Sequence, residues 1–261
     1  MNEILRADHV SMLFGGLKAV DDISLTMGSN EILSLIGPNG AGKTTFFNML
    51  TGVYKPTTGK IMFYGEDITN LKAHERVAKG ISRTFQNIRL FKDMTALENL
   101  LVAHPGCNRE NLLKVLLGGR SLREQRKSIV EECEAILEVV GLKEKEKELA
   151  TNLPYGKQRL LEIGRALATN PKLVLLDEPG AGMNSVEKEE LTALIRHITE
   201  KMGKKVLLIE HDMKFVMGIS DRILVLDHGV LIANGKPEEI QQNQQVIEAY
   251  LGKGIEDEDE E

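Results

Sequence analysis

The stretch GPNGAGKT, residues 37 to 44, has the residue types and the spacing of a loop that binds phosphate. It fits the pattern G-x-x-x-x-G-K followed by Ser or Thr, between an apolar run, EILSLIG, and the helix-forming sequence KTTFFNML. Glycines allow backbone N–H groups to turn toward phosphate oxygens, and the following helix presents the positive end of its dipole there. The predicted nucleotide-binding residues of this loop are Gly37, Pro38, Asn39, Gly40, Ala41, Gly42, Lys43, Thr44 and Thr45.

Two side chains at the end of the loop predict phosphoryl chemistry with a metal ion. Lys43 can bridge the β- and γ-phosphates of a nucleoside triphosphate, and the Thr44 hydroxyl can ligate Mg²⁺. The alternative is a glycine-rich turn that fits the pattern by chance, which the strand and helix on either side disfavour.

A second apolar run, LVLLDEP, ends in two acids that complement the loop. Asp177, at the end of the predicted strand, is expected to hold the hydrated Mg²⁺, and Glu178 to orient a water in line with the γ-phosphate. Adjacent residues of a strand point to opposite sides, so the two acids are expected to have different tasks.

Two further polar residues carry weaker signals. His211 follows the apolar run KVLLIE, so strand order could bring its imidazole to the same carboxyl edge as the phosphate loop. A histidine at a strand end is by itself more often structural. Gln86, in RTFQN, is equally uninformative when taken alone.

The elements that position these residues follow an α/β pattern. Four near-continuous apolar runs predict strands buried on both faces: EILSLIG, KLVLLD, KVLLIE and RILVLD. A helix with Leu191, Leu194, Ile195 and Ile198 on one face separates the second run from the third. Strands that alternate with amphipathic helices indicate a mostly parallel sheet with covered faces.

Two regions depart from this pattern. The first 30 residues and GKIMFYGEDI, residues 59 to 68, predict an added antiparallel β subdomain. Residues 95 to 160 predict an inserted helical subdomain, with capping-box pairs at Thr95 and Glu98 and at Ser121 and Glu124. A helical stripe in it is formed by Ile129, Cys133, Ile136, Leu137 and Val140.

We therefore predict one domain over residues 1–252. Its core and antiparallel β subdomain span residues 1–92 and 161–252, and its helical subdomain spans residues 93–160. Residues 253–261 are expected to form an acidic, disordered tail.

Composition limits the class of protein. No apolar run approaches the roughly 18 to 20 residues of a membrane span, and the start MNEILRADHV does not resemble a secretory signal, so a cytoplasmic location is expected. The formal charge of -6 comes from the six acids of EDEDEE at the end, without which 33 acids balance 33 bases. Because the charges of the remaining chain balance, nucleic acid is not favoured as a partner.

The two cysteines, Cys107 and Cys133, support neither a disulfide framework nor a zinc site.

The order of the motifs resembles the ATP-binding cassette of ABC transporters. GPNGAGKTT, RTFQ, RLLEIGRAL, LVLLDEP and LIEHD follow one another as in that family, and only the acidic tail falls outside the likeness. The stretches RTFQNIRLFKDMTALENLLVA and EHDMKFVMGISDRI, with the ending VIEAYLG, look most like the ATP-binding subunits of branched-chain amino acid importers.

The resemblance implies roles for individual residues, with ATP and Mg²⁺ as cofactors. Phe14 matches the aromatic residue that stacks on adenine, for which a core phenylalanine is the alternative. Gln86 matches the glutamine that reaches Mg²⁺ and the attacking water and senses the transmembrane partner. Glu178 matches the general base, and His211 the residue that switches with the γ-phosphate.

NLPYGKQ occupies the place of the family signature Leu-Ser-Gly-Gly-Gln, which closes over the ATP held by a second subunit in a head-to-tail dimer. The segment expected to act across that dimer comprises Leu153, Pro154, Tyr155, Gly156, Lys157 and Gln158. Only Leu153 and Gly156 match the pattern. Pro154 replaces the serine that would touch the γ-phosphate, while the helix mouth still offers backbone donors and Lys157 adds a cation.

GAGMN, residues 180 to 184, stands where the cross-dimer loop of the family normally ends in aspartate, and here it ends in Asn184. An amide keeps hydrogen bonding and loses the charge. Both departures fit an asymmetric pairing with another ATPase subunit that carries the fuller signature.

The resemblance implies an ATPase that powers uptake through membrane permease subunits, on the cytoplasmic face of the membrane, with an extracellular solute-binding protein as an indirect partner. Ile88, Leu90 and Phe91 are candidates for the surface that receives a partner's helix, with burial in the subdomain's own core as the alternative. An importer ATPase for another solute, a soluble ABC ATPase acting on nucleic acid or ribosomes, and a P-loop kinase remain as alternatives. Soluble ABC ATPases usually carry a coiled-coil insertion, a second cassette or basic surfaces, and this sequence shows none of them. The order of the signature, the DEP motif and the histidine argues against a kinase.

Overall fold

A computed structural model describes residues 3–29, 31–107 and 120–251 of the chain. The described residues divide into two compact units, one within residues 1–79 and 196–261 and the other within residues 80–195. The division into core and helical subdomain drawn from the sequence remains a prediction, and the acidic tail lies outside the described residues.

In chain order the strands are β1 (Leu5–Phe14), β2 (Leu17–Met27), β3 (Ile32–Ile36), β4 (Thr58–Phe63), β5 (Glu66–Asp67), β6 (Ile81–Arg83), β7 (Leu173–Asp177), β8 (Lys205–Ile209), β9 (Arg222–Asp227) and β10 (Val230–Gly235). The α-helices are α1 (Lys43–Leu50), α2 (Ala73–Lys79), α3 (Ala96–Ala103), α4 (Arg120–Val139), α5 (Tyr155–Ala168), α6 (Ser185–Glu200), α7 (Met213–Ile219), α8 (Pro237–Gln241) and α9 (Gln244–Leu251).

The first unit contains the predicted antiparallel β structure. Its four strands lie in the order β2-β1-β4-β5, with antiparallel pairing throughout. In β1 the buried residues Leu5 and Ala7 pair with Met27 and Leu25 of β2. Because both partners of each pair are buried, the register places one apolar face of this sheet against the core.

A second set of strands in the same unit carries the phosphate loop. The order is β10-β9-β3-β8, in which β3 runs parallel to both β8 and β9. All five residues of β3 are buried, as a strand covered on both faces requires. The predicted class, an α/β fold with a mostly parallel sheet, is confirmed.

The end of α1 is held by a buried arginine. Arg76 of α2 is 1% exposed and donates hydrogen bonds to the carbonyl oxygens of Met49, Leu50, Thr69 and Leu71. Burial lowers the pKa of this guanidinium to about 10. The negative end of the α1 dipole offsets part of that cost, so Arg76 fixes the helix that follows the phosphate loop.

The second unit combines a parallel strand pair, β6 with β7, and the helices α3, α4 and α5. Thr95 and Glu98 form the predicted capping box at the start of α3. The predicted stripe on α4 is largely buried, with Cys133 and Leu137 fully so. Ser121 lies inside α4, and its side chain is outside the described part.

Within residues 3–29, 31–107 and 120–251, no helix combines the length and the apolar character needed to cross a membrane.

Candidate nucleotide site

The loop between β3 and α1 is shaped by glycines that no other residue could replace without strain. Gly37, Gly40 and Gly42 have φ angles of 149°, 79° and 95°. A Cβ on Gly37 would lie 2.1 Å from the Leu226 carbonyl oxygen, and one on Gly42 would lie 2.4 Å from that of Ala19. Close packing behind the loop therefore fixes its path, as a cradle for phosphate requires.

Lys43 lies at the first position of α1 and is buried, with 8% of its surface exposed. Its ammonium group donates hydrogen bonds to the carbonyl oxygens of Gly37 and Pro38, at 2.6 and 2.8 Å. A phosphate that recruits Lys43 must replace these two bonds. The next residue, Thr44, is exposed, and no side chain caps this helix end, which suits an anion or a metal-bound phosphate.

Phe14, at the end of β1, is 42% exposed. Its ring meets that of Tyr54 edge to face, with centroids 5.4 Å apart. The exposure does not fit the alternative of a core phenylalanine and leaves ring surface available for stacking.

The two acids after β7 have different partners. The Asp177 carboxylate is 5% exposed and accepts a 2.6 Å hydrogen bond from Arg83, which makes a nearly buried ion pair. Glu178 accepts a 3.0 Å hydrogen bond from the Gln86 side chain. Gln86 and Glu178, 92 positions apart, are therefore brought together.

The two acids do not both belong to β7, so the alternation of strand residues does not separate them as the sequence predicted. β7 ends at Asp177, and Glu178 has a φ of 47°, in the left-handed region. A backbone turn, rather than the alternation of a strand, therefore sets the direction of Glu178.

His211 lies in the first unit, two residues beyond the last residue of β8, and is exposed. Its predicted place beside the phosphate loop stays a prediction. Its backbone N–H lies 3.3 Å from a carboxylate oxygen of the buried Glu210.

The signature segment forms the start of α5 in the second unit. Leu153 is buried, Pro154 is the exposed N-cap residue and Tyr155 is 47% exposed. Lys157 pairs with Glu190 at 2.8 Å, so its charge is balanced within this unit. Gln158 donates back to the Leu153 carbonyl.

Gly156 has a packing reason to be glycine. A Cβ there would lie 2.3 Å from a carboxylate oxygen of Glu187. Glu187 in turn forms reciprocal 3.0 Å hydrogen bonds with Asn184, which cap the start of α6. The spacing N-S-V-E, a capping-box pattern, could have revealed this pair in the sequence.

Arg159 is a buried residue near Gln86 that belongs to no sequence motif. It is 4% exposed and donates hydrogen bonds to the backbone oxygens of Phe85 and Gln86 and to the hydroxyl of Tyr155. The loop with Gln86 and the signature tyrosine are thus attached to one guanidinium group. No motif in the sequence identifies it, because its two backbone partners lie more than 70 positions away.

Glu162 completes this buried arrangement. It accepts from the Arg89 amide at 3.2 Å and lies 3.7 Å from Arg159. Burial raises the pKa of Glu162, while the Arg89 hydrogen bond and the Arg159 charge act in the opposite direction.

Among the described residues, no three His, Cys, Asp or Glu side chains form a cluster that could hold a metal ion. Hydroxyl and carboxylate oxygens suit Mg²⁺, so Thr44 of the first unit and Asp177 of the second stay predicted ligands.

A glycine loop that joins a buried parallel strand to an uncapped helix, with the ammonium of Lys43 inside it, defines a P-loop nucleotide-binding protein of the α/β class. A family model described as "ABC transporter" matches residues 20–181, and one described as "Branched-chain amino acid ATP-binding cassette transporter" matches residues 230–256. The chain belongs to the ABC transporter family of ATP-binding proteins and is an ATPase.

Individual relatives extend this likeness over the chain. The high-affinity branched-chain amino acid transport ATP-binding protein BraF of Pseudomonas aeruginosa is 48% identical, over 96% of this chain and 98% of its own length. The ADP conformation of MJ1267, an ATP-binding cassette of an ABC transporter, superposes with a TM-score of 0.84 at 34% identity, covering 97% of this chain and 100% of that one. The dimeric post-hydrolysis state of the cassette MJ0796, bound to ADP and Pi, has a TM-score of 0.71 at 27% identity, covering 90% and 99%.

Proposed function

We propose that this chain powers the uptake of branched-chain amino acids as the ATP-hydrolysing subunit of an ABC importer. The observation that carries the proposal is the 48% identity to BraF over nearly the whole of both chains. The separate match of residues 230–256 to a branched-chain amino acid transporter model supports it from a part of the chain outside the general family match.

In the proposed site the phosphate loop holds ATP. Lys43 exchanges its bonds to the Gly37 and Pro38 carbonyls for the β- and γ-phosphates, and Phe14 stacks on the adenine. Thr44, Gln86 and Asp177 would hold Mg²⁺, which would neutralise charge on the phosphate oxygens.

We assign the general base to Glu178. The hydrogen bond from Gln86 limits the positions that the Glu178 carboxylate can take, as a base that orients a water requires. His211 contacts the γ-phosphate and changes its contact on hydrolysis. Gln86 therefore has two tasks, because it orients the base and it lies on the loop that senses the membrane partner.

The signature segment, Leu153 to Gln158, is proposed to close over the ATP of a second ATP-binding subunit. The dimeric state described for MJ0796 supports a two-subunit arrangement. In the absence of the signature serine, the exposed start of α5 offers backbone N–H groups to that phosphate. Asn184 caps α6 in this chain, and the loop before it faces the partner subunit.

A groove in the second unit is the proposed contact with a permease subunit. It has a volume of about 300 Å³ and is lined by Asn87, Ile88, Leu90, Lys92, Ala150, Thr151, Tyr155 and Gln158. Ile88 and Leu90 follow Gln86, while Tyr155 and Gln158 belong to the signature helix, so an inserted segment would touch both parts. Phe91 is 45% exposed and lies against Arg165 instead. The protein would in this way be held at the cytoplasmic face of the membrane.

Uptake into vesicles tests the transported solute. The chain is co-purified with its membrane subunits, reconstituted in proteoliposomes with the solute-binding protein, and supplied with ATP and radiolabelled leucine. We expect uptake that depends on ATP and is lost in Lys43→Ala. Transport of a different solute by the same complex would refute the substrate and leave the ATPase assignment unaffected.

If the groove receives a permease segment, a charge introduced into the groove should weaken binding of the permease. Ile88→Asp should reduce co-purification of the permease at least tenfold, because a carboxylate would be buried against an apolar partner surface, and should leave basal ATPase activity unchanged. Val53→Asp is the matched control, since Val53 is an exposed apolar residue in another part of the chain. If both variants lost co-purification of the permease equally, or if Ile88→Asp lost none, the groove would not be the contact with the permease.

A further inference from the structure

The carboxylate of Asp177, a predicted Mg²⁺ ligand, is already held by a cation of the same unit. Arg83, the last residue of β6, donates a 2.6 Å hydrogen bond from Nη2 to Oδ2 of Asp177, the last residue of β7. The two side chains are 10% and 5% exposed. A carboxylate so far from solvent costs free energy unless a positive charge lies beside it, and Arg83 provides that charge.

The main chain on both sides of this ion pair is fixed independently of it. β6 and β7 pair in parallel, with Arg83 opposite Leu175. The Thr84 N–H donates to the Leu175 carbonyl at 3.0 Å, and the Asp177 N–H donates to the Thr84 hydroxyl at 3.1 Å. The ion pair can therefore open by rotation of its side chains, while the two strands stay in place.

The Arg83 guanidinium has a second contact within this unit. Its central carbon lies 5.3 Å from the centroid of the Phe85 ring, in the range of a cation–π contact. A guanidinium that turns away from Asp177 therefore keeps the face of this ring as a partner for its charge.

We propose that Arg83 is a positioning residue that stands in for Mg²⁺ at Asp177. It compensates the carboxylate while the metal ion is absent and turns to the Phe85 ring when the metal ion is bound. The inference rests on the proposed function, in which Asp177 ligates Mg²⁺. Because the guanidinium and the metal ion compete for one carboxylate, the bond that Arg83 gives up lowers the affinity of the site for Mg²⁺.

The test is Arg83→Met in the full chain, which keeps an apolar stem and removes the charge. The affinity for ADP is measured by calorimetry over a range of free Mg²⁺ concentrations, and the concentration at half of the Mg²⁺ effect is compared between chains. We expect this concentration to fall about tenfold, as for the loss of one competing hydrogen bond between charged groups.

Arg89→Met is the matched control. The Arg89 guanidinium lies 4.4 Å from the centroid of the same ring, and its removal should leave the Mg²⁺ requirement unchanged. An unchanged or higher Mg²⁺ requirement in Arg83→Met would overturn the proposal, because loss of a residue that only orients Asp177 would weaken metal binding.

Phe85→Leu tests the second half of the proposal and keeps the buried ion pair, so it does not depend on the folding of Arg83→Met. We expect its Mg²⁺ requirement to rise about threefold, because the guanidinium that leaves the carboxylate no longer finds the ring. The two variants should therefore shift the Mg²⁺ requirement in opposite directions. An unchanged or lower requirement in Phe85→Leu would overturn the proposal.

Failure of the proposed function would give different results. If the natural chain did not bind ADP, the nucleotide site itself would be wrong. If Asp177→Asn had the Mg²⁺ requirement of the natural chain, Asp177 would not be a ligand. Neither result follows from an error about Arg83 alone, so the failures are distinguishable.

Discussion

Glu178 has a backbone conformation that non-glycine residues seldom adopt. With a φ of 47°, it costs on the order of 1–3 kcal/mol, which the surrounding structure must offset. The buried strand before it and the hydrogen bond from Gln86 supply part of that support. Strain at the residue proposed as the general base fits a position selected for chemistry.

Replacement of this carboxylate gives the sharpest prediction at the scale of a residue. Glu178→Gln should bind ATP normally and reduce turnover by about 10² or more, because the amide can still accept from Gln86 but cannot take a proton from water. Turnover is measured by phosphate release and binding by calorimetry.

Lys43→Ala is the comparison for this experiment. It should abolish nucleotide binding itself, since the loop would lose its only ammonium group. Near-normal hydrolysis by Glu178→Gln would remove Glu178 from the role of general base.

At the scale of elements, the loop with Gln86 is attached to the signature helix α5 through Arg159. The guanidinium donates to two backbone oxygens of the loop and to the hydroxyl of Tyr155. Since the groove proposed for the permease is lined by the same loop and the same helix, we propose that Arg159 links the position of the partner to Gln86.

Arg159→Lys tests this link and keeps a positive charge beside the buried carboxylate of Glu162. Lysine keeps the charge beside Glu162 but cannot make the forked contacts of a guanidinium. We expect ATPase activity to fall about tenfold for the loss of one to two hydrogen bonds, with nucleotide affinity unchanged and faster hydrogen exchange in residues 84–89.

The control at this scale is Arg196→Lys, since Arg196 donates to one carbonyl, that of Gly218, and has no role in the site. It should retain full activity. Unchanged exchange and activity in Arg159→Lys would show that the loop does not depend on this contact.

At the scale of the whole molecule, the altered signature and Asn184 predict dependence on a different subunit. Pro154 removes the serine hydroxyl, and Lys157 is already paired with Glu190, so it does not supply a free cation to a phosphate. A partner with the fuller signature would complete the ATP site of this chain better than a second copy would.

The purified chain should therefore show weak ATPase activity and little ATP-driven dimerisation, measured by light scattering, and both should rise at least tenfold when the partner ATPase is added. An equal mixture with Glu178→Gln chain in place of the partner is the control. Strong activity and tight homodimers of this chain alone, with no effect of the partner, would contradict asymmetric pairing.

The sequence alone determined the class of fold, the phosphate loop and the family. These depend on local patterns: continuous apolar runs for buried strands, glycines at fixed spacing where the backbone needs positive φ, and a lysine at the start of a helix. The predicted strands 172–177 and 205–210 differ from the observed β7 and β8 by one residue at an end.

Only the tertiary structure decided which distant groups meet. The pairs of Arg83 with Asp177 and of Gln86 with Glu178, and the contacts of Arg159 with the backbone, join residues separated by 70 or more positions. Such contacts leave no periodic or spacing signal in one chain, because they depend on how elements pack and on backbone atoms that every residue carries.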